Sequence, residues 1–195
     1  FLSLLGNGMG VDAQMECIAM RGDFAPQGIK IESGYQCFTS LQRPTSRGNL
    51  CITSADPDIG PKFHFNYLTT DHDKKLAIAA IKATQQIFQQ SAWQGRLSSE
   101  LSGVDTLKSD SDIIKWAFAK VESNYHPCGT CRMGVDDKAV TDGEGRAHGF
   151  NNLRIVDASI IPSIPAGNLN AITIMIAEKI ADSILGLSPL EAEYL

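Results

Sequence analysis

The segment from residue 171 to residue 185 constrains the fold most, because it has the clearest helical periodicity in the sequence. Apolar side chains recur there at spacings of three and four residues, as on one face of an α-helix; they are Ile172, Met175, Ile176, Ile180 and Ile184. Asn170 precedes the segment as a candidate N-cap, and Gly186 follows it where a left-handed residue ends many helices. The large apolar fraction predicts a well-buried helix.

The start of this helix is a candidate ligand site. Unpaired N–H groups and the helix dipole give a helix N-terminus a partial positive charge, which suits an anion or an electron-rich ring edge. The alternative is that Asn170 is an ordinary helix cap. The local pattern leaves both interpretations open.

A short apolar run, Leu153 to Val156, predicts a buried strand that leads into Asp157. In open α/β sheets, ligands bind at the edge formed by the carboxyl ends of the strands. Asp157 is therefore a candidate ligand contact. The other interpretation is that its carboxylate only accepts hydrogen bonds from backbone N–H groups in the following turn.

The stretch His126-Pro127-Cys128-Gly129-Thr130-Cys131 places a histidine beside a Cys-x-x-Cys pair. His126, Cys128 and Cys131 are all zinc-ligand types, but a structural zinc site needs a fourth ligand, and no suitably spaced cysteine pair follows. A redox dithiol normally opens a helix, whereas residues 133–137 have the composition of a loop. A buried loop with a hydrogen-bonded histidine is the third interpretation.

The first 125 residues predict an antiparallel sheet with two amphipathic helices packed against it. Alternating apolar residues indicate strands at residues 15–20, 35–41, 49–54 and 62–67, with a turn at 43–48 and a loop at 21–34. The two helices are predicted at residues 71–90 and 110–122, the second with Ile113, Ala117 and Val121 facing inward. The chain is therefore expected to have an α+β fold.

Composition narrows the function only slightly. A chain of 195 residues is long enough for one domain or for parts of two, and its net charge of −5 argues mildly against a nucleic-acid partner. Five cysteines without framework spacing favour a reducing compartment. The apolar segment at 172–184 is interrupted by charged residues, so no spanning helix is predicted.

Several motifs occur in a fixed order along the chain: RPTSRGNLCITSADP from residue 43, HPCGTCRMG from 126, VTDGEGRAHG from 140, NLRIVDASIIP from 152 and GNLNAITIMIAEKIAD from 167. Each motif alone is weak, but the ordered set resembles the glucose–methanol–choline (GMC) family of flavoprotein oxidoreductases. The resemblance is to its choline dehydrogenase and bacterial alcohol dehydrogenase members, and it covers at least residues 35–186.

The resemblance implies a role for individual residues. His126 is similar to the family's active-site base, and Asn170 is similar to its second active-site residue, which is His in some members and Asn in others. Asp157 and Ala158 resemble the pair whose backbone approaches the FAD pyrophosphate and ribityl region. At the start of the last helix, the resemblance adds two cofactor contacts, Ala171 and Ile172, the second at the pyrimidine edge of the flavin. It implies no metal site.

The family also implies an architecture. Residues 1–125 are expected to be part of a substrate-binding domain, with the sheet and two helices. Residues 126–195 are expected to supply the active-site loop and a strand–helix segment that completes the FAD domain. The family's Gly-x-Gly-x-x-Gly loop is absent from this sequence. The chain is therefore expected to be the C-terminal portion of a longer enzyme, inactive alone, with most of its FAD site in the missing N-terminal region.

The expected reaction is oxidation of the CH–OH group of a small alcohol, choline among the candidates, with hydride transfer to FAD. The electron acceptor and the oligomeric state are left open, and a cytoplasmic location is expected, with peripheral membrane association as an alternative. The rival functions are a non-catalytic α+β module that binds a small molecule and the structural zinc domain at His126, Cys128 and Cys131.

Overall fold

The chain folds into two compact units, Phe1–Glu122 and Ser123–Leu195. The computed structural model describes residues 1–6, 8, 10–25, 28–188, 191 and 193. Within these residues, no helix is both long and apolar enough to cross a membrane. The assignment of the two parts of the chain to substrate binding and flavin binding stays a prediction.

In the described residues of the first unit, the strands form three separate antiparallel pairs. Strand β1 pairs with β4, β2 with β3, and β5 with β6. The strands are β1 Ala13–Ile18, β2 Arg21–Ala25, β3 Gly28–Glu32, β4 Gln36–Leu41, β5 Asn49–Cys51 and β6 Lys62–His64. This mixture of helices and small antiparallel sheets agrees with the α+β expectation at the level of fold class.

Two strand predictions were wrong. We expected one sheet in which the turn at 43–48 joins two paired strands, but β4 pairs with β1, and β5 pairs with β6. The predicted loop at 21–34 instead contains the β2–β3 hairpin, whose outer ends are linked by the 3.1 Å ion pair of Arg21 with Glu32. Glycine weakens a strand but does not prevent pairing, so the glycines that suggested a loop were misleading here.

Two helices pack together in the first unit. Helix α1 spans Asp71–Phe88 and helix α2 spans Asp110–Lys120, close to their predicted positions. Thr70 caps α1, and Ser109 with Asp112 forms a capping box at α2, so local hydrogen bonds define both starts. Ile113 and Ala117 are buried as predicted, whereas Val121 follows the end of α2 and is exposed.

A buried carboxylate ties the loop before β5 to the start of α1. Asp73 is only 1% exposed, and it accepts hydrogen bonds from the backbone N–H groups of Thr45 and Ser46, both at 2.8 Å, and from the Thr45 hydroxyl. Burial on its own would raise the pKa of Asp73. The hydrogen bonds from Ser46 and Thr45 outweigh it, so the pKa lies below its ordinary value.

Replacement of Asp73 by Asn should lower the free energy of unfolding by about 2–3 kcal/mol, because an amide cannot accept all of these bonds and leaves buried N–H donors unpaired. The folded-state pKa is depressed, so the contribution of Asp73 is present above about pH 4 and is lost as the pH falls through the folded-state value. Urea unfolding of both proteins at several pH values measures this. A difference that stays constant down to about pH 2 would contradict the charge-based explanation, and Asp71→Asn, at an exposed position, is the matched control.

The second unit is built on its last helix, α3, at Leu169–Leu185. Its buried side packs against residues 160 and 161; the buried core consists of Ile160, Ile161, Leu169, Ile176 and Ile180. Gly186 ends the helix with a φ of 70°, as predicted. The predicted cap was wrong, because Asn168 is the N-cap and Asn170 already lies in the first turn.

The burial predicted for α3 was too extensive. Only one side of the helix is buried in this chain, and four apolar side chains are more than half exposed: Ile174, Met175, Ile184 and Leu185. Apolar content by itself does not report which faces are covered, because roughly half of any protein's surface is apolar.

Residues 153–156 do not form the predicted strand. They run beside residues 145–147, with hydrogen bonds from Ala147 N to Leu153 O at 3.0 Å and from Ile155 N to Gly145 O at 2.8 Å. The partner segment turns sharply at Gly145, which has a φ of 71°, so pairing stops at one bridge between Arg146 and Arg154. A Cβ at Gly145 would lie 2.7 Å from Ile155 O, so this turn requires glycine.

Candidate active site

Backbone pairing holds the His126–Cys131 loop against residues 158–161. Cys131 N donates to Ser159 O at 3.0 Å and Met133 N donates to Ile160 O at 2.8 Å. Because Ile160 belongs to the core packed on α3, the loop and the helix are positioned by the same residues.

The loop turns at Gly129, whose φ of 88° is a left-handed conformation that side chains disfavour. Beyond the turn, the Arg132 guanidinium binds both oxygens of Asp136, at 2.9 and 2.5 Å. The hydrogen bond from Arg132, reinforced by one from Lys138 N, lowers the pKa of Asp136 to about 2. Asp136 is therefore ionised throughout the physiological range, and the pair fixes the far end of the loop.

His126 contacts the N-cap residue of α3. The Asn168 side-chain nitrogen Nδ2 lies 2.8 Å from His126 Nε2. An amide nitrogen can only donate, so Nε2 accepts, and the neutral ring carries its proton on Nδ1. The Nε2 lone pair is therefore directed towards the start of α3, and Nε2 is the ring atom that could accept a proton.

His126 and Asn170 line one open cavity of about 400 Å³. The other lining residues are Tyr125, Pro127, Ala158, Leu169 and Thr173. The predicted pair thus shares a cavity, although Asn168 rather than Asn170 makes the hydrogen bond to the ring. The catalytic roles of His126 and Asn170 stay predictions.

Asn168 is the residue that sequence reasoning missed. It lies two positions before Asn170 in the same Gly-Asn-Leu-Asn motif. The resemblance assigned the role of second active-site residue to Asn170, the later of the two asparagines. The exact first residue of a helix decides which side chain points back towards the preceding loop. Sequence patterns fix helix ends only to within a few residues, so the motif alone could not separate the two.

The four predicted cofactor residues occupy different environments. Asp157 is exposed, and its carboxylate accepts from Ser159 N at 2.7 Å, which caps the short 3₁₀ turn Ala158–Ile160. Ala158 lines the His126 cavity, Ala171 is exposed, and Ile172 packs against the core. The turn-capping interpretation of Asp157 is thus observed, and the cofactor roles of all four residues stay predictions.

Two observations fit a polar ligand edge at this position. The Asn168 side chain makes no capping hydrogen bond to the first turn of α3, so it does not occupy the N–H groups there. Among the described residues, the Ser159 hydroxyl is buried without a hydrogen-bond partner, one residue from Ala158. A buried hydroxyl without a partner is unfavourable unless a ligand or water completes it, so these residues are compatible with a polar group such as the flavin edge.

The zinc interpretation has no structural support. The described part of the chain contains no group of three or more His, Cys, Asp or Glu side chains arranged to hold a metal ion. Cys128 and Cys131 are half-buried, and Cys131 is part of the backbone pairing that orders the loop.

The family model for GMC oxidoreductases matches residues 44–177. The chain therefore belongs to the GMC oxidoreductase family.

Curated relatives share much of the sequence. The chain is 45% identical over 159 residues to the oxygen-dependent choline dehydrogenase of Proteus mirabilis (strain HI4320), covering 82% of this chain and 29% of that relative. It is 40% identical over 204 aligned residues to the oxygen-dependent choline dehydrogenase of Klebsiella pneumoniae subsp. pneumoniae, covering 95% of this chain and 37% of that relative. The chain thus spans about a third of the length of these relatives.

Solved structures show the same fold. Pyridoxine 4-oxidase from Mesorbium loti superposes with a TM-score of 0.73 at 23% identity, over 92% of this chain and 44% of that chain. Formate oxidase from Aspergillus oryzae RIB40, studied for its FAD modification, superposes with a TM-score of 0.70 at 27% identity, over 80% of this chain and 28% of that chain.

The hydrogen bond between Asn168 and His126 predicts the tautomer of the histidine. At about pH 8, where an ordinary imidazole is neutral, ¹⁵N shifts of labelled histidine should show His126 protonated on Nδ1. Asn168→Ala should shift His126 away from this tautomer, because the donor to Nε2 is gone. Asn170→Ala is the control and should leave the tautomer unchanged; a shift of equal size in both variants would contradict the assigned contact.

Proposed function

We propose that this chain is the C-terminal portion of a flavin-dependent oxidoreductase that acts on the CH–OH group of an alcohol, with His126 as the base. Choline is the leading candidate substrate, because the relatives above are named choline dehydrogenases. Membership of the GMC oxidoreductase family supports the reaction class. The single observation that carries the site assignment is the 2.8 Å contact between His126 and Asn168 beside an open cavity.

Alcohol oxidation removes a proton from oxygen and a hydride from carbon, so the site must hold the oxygen and accept the proton. A hydroxyl that enters between the two side chains can donate its proton to His126 Nε2 while it accepts from the Asn168 amide. Both atoms already point at each other across a distance that one hydrogen bond spans. The direct contact must open to admit the oxygen, so it is a resting-state contact that the substrate replaces.

The imidazole and the amide suit these two tasks. A neutral imidazole takes up a proton near working pH, and the Nδ1–H tautomer leaves Nε2 as the basic atom. The amide donates to an oxygen that gains negative charge as the proton leaves, and this interaction strengthens along the reaction. Asn170 lines the same cavity and is the second candidate for orienting the substrate.

FAD, when bound in the full-length enzyme, would supply the hydride acceptor. In this chain, the first turn of α3 and the region from Asp157 to Ser159 are the proposed contacts. The partial positive charge of the helix N-terminus favours an electron-rich edge there, and the Ser159 hydroxyl offers one further hydrogen bond. No observation in the described residues favours the non-catalytic binding module as an alternative.

Removal of the His126 imidazole should lower kcat/KM of the full-length enzyme for its alcohol substrate by about 100-fold or more, because a general base contributes at least this much. Flavin absorbance should remain, since the proposal gives His126 no cofactor role. His72→Ala, in helix α1 of the other unit, is the control and should retain activity. Turnover of His126→Ala within about threefold of the parent enzyme would contradict the base role.

Substitution of Asn168 should lower kcat/KM more than substitution of Asn170. Asn168→Ala should lower kcat/KM by about 100-fold, since loss of one preorganised donor to a developing oxyanion costs this order, and Asn170→Ala should cost less. Steady-state assays of both variants with flavin content normalised make the comparison. A larger loss of kcat/KM for Asn170→Ala would indicate that Asn170, and not Asn168, is the second active-site residue.

A further inference from the structure

Two cysteines face each other across the β1–β4 pair. Cys17 and Cys37 are directly opposed in the antiparallel register, and their sulfur atoms lie 3.3 Å apart. Nothing in the sequence spacing indicated this pair, because the two residues are brought together only by strand pairing. The pair lies in the first unit, whereas His126 lies in the second.

The backbone geometry is suitable for a disulfide bond. Directly opposed residues in an antiparallel pair have Cα atoms about 4.5–5.5 Å apart, and disulfides bridge Cα separations of about 4.4–6.8 Å. The sulfurs need to approach by only about 1.3 Å to reach the length of an S–S bond. The opposed positions of the two residues therefore allow a cross-strand disulfide.

The two thiols differ in exposure. Cys17 is exposed, whereas Cys37 is half-buried. Burial raises the pKa of Cys37 to about 12, with a further contribution from its contact to the Cys17 thiol. Cys37 is therefore a protonated thiol at neutral pH, and Cys17 is the sulfur that a small oxidant reaches from solvent.

We propose that Cys17 and Cys37 form a reversible oxidation site that hydrogen peroxide converts into a cross-strand disulfide. The Cys17 thiol loses its proton to solvent and the thiolate attacks the peroxide; the O–O bond breaks, and the products are a sulfenic acid on Cys17 and a hydroxide that takes up a proton to become water. The Cys37 sulfur then attacks the Cys17 sulfur, the S–O bond breaks, and a second water leaves with the Cys37 proton. In sum, two thiols lose two electrons to one peroxide, and a dithiol reductant reverses the change.

The bond would hold strand β1 to the part of the unit that contacts α1. Thr39 on β4 hydrogen-bonds to Thr84 on α1 at 3.1 Å, so a cross-link to β4 anchors β1 to the same framework. It also closes a loop that contains the β2–β3 hairpin, which reduces the freedom of the unfolded chain. Oxidation should therefore stabilise the first unit without touching the proposed catalytic residues.

The experiment is peptide mapping of the purified protein before and after one equivalent of hydrogen peroxide. We expect a mass loss of about 2 Da and a single cross-linked peptide pair that contains Cys17 and Cys37, both reversed by dithiothreitol. The thermal midpoint of unfolding should rise by roughly 5–10 °C on oxidation. Wild-type mapping needs no substitution, so the test does not depend on the folding of any variant.

Cysteine-to-serine variants test which two cysteines form the cross-link. Cys17→Ser and Cys37→Ser should each abolish the mass loss and the rise in the midpoint. Cys51→Ser, at an exposed cysteine on β5, is the matched control and should retain both. Oxidation of Cys17 to sulfinic acid without a link to Cys37, a disulfide among other cysteines, or an unchanged mass loss in Cys37→Ser would each overturn the proposal.

Discussion

The second unit depends on the pairing of the His126 loop with the segment before α3. Two backbone hydrogen bonds, from Cys131 to Ser159 and from Met133 to Ile160, join stretches that are far apart in sequence. Ile160 is fully buried against α3, so the same residue that packs the helix also receives the loop. The distance between His126 and Asn168 follows from this arrangement, because one residue belongs to the loop and the other begins the helix.

This arrangement explains how a polar site forms beside an apolar core. The core side of α3 is buried, which stabilises the helix, and the Asn168 side chain at its start bonds to His126 and makes no cap hydrogen bond. The histidine and the amide then need only local contacts to face each other. The two side chains are thereby held at hydrogen-bonding distance, and under the proposed mechanism an entering hydroxyl separates them.

The elements that sequence predicted well are those defined by local interactions. Helices α1 and α2 and the end of α3 at Gly186 depend on caps and on periodicity within a few residues, and these were found close to where they were expected. Strand pairing depends on distant partners, and the pairing of β4 with β1 could not be derived from alternation alone. The run at 153–156 has strand composition, but its partner bends away at Gly145.

In the candidate site, too, local features were predictable and contacts between distant residues were not. The His126 loop and Asn170 were singled out by resemblance, whereas Asn168 was missed, because its contact with the ring depends on where α3 begins. The opposition of Cys17 and Cys37 likewise exists only once β1 and β4 are paired. Local chemistry is visible in the sequence, but which side chains meet is decided by packing.

The turn at Gly145 has a consequence for how this sequence can diverge. Any side chain there would collide with the Ile155 carbonyl and approach the Ile180 side chain on α3. Ile180 is buried on the helix whose first residues border the His126 cavity. Loop positions usually tolerate substitution, but position 145 requires glycine. Substitutions at neighbouring positions must therefore be compatible with this glycine.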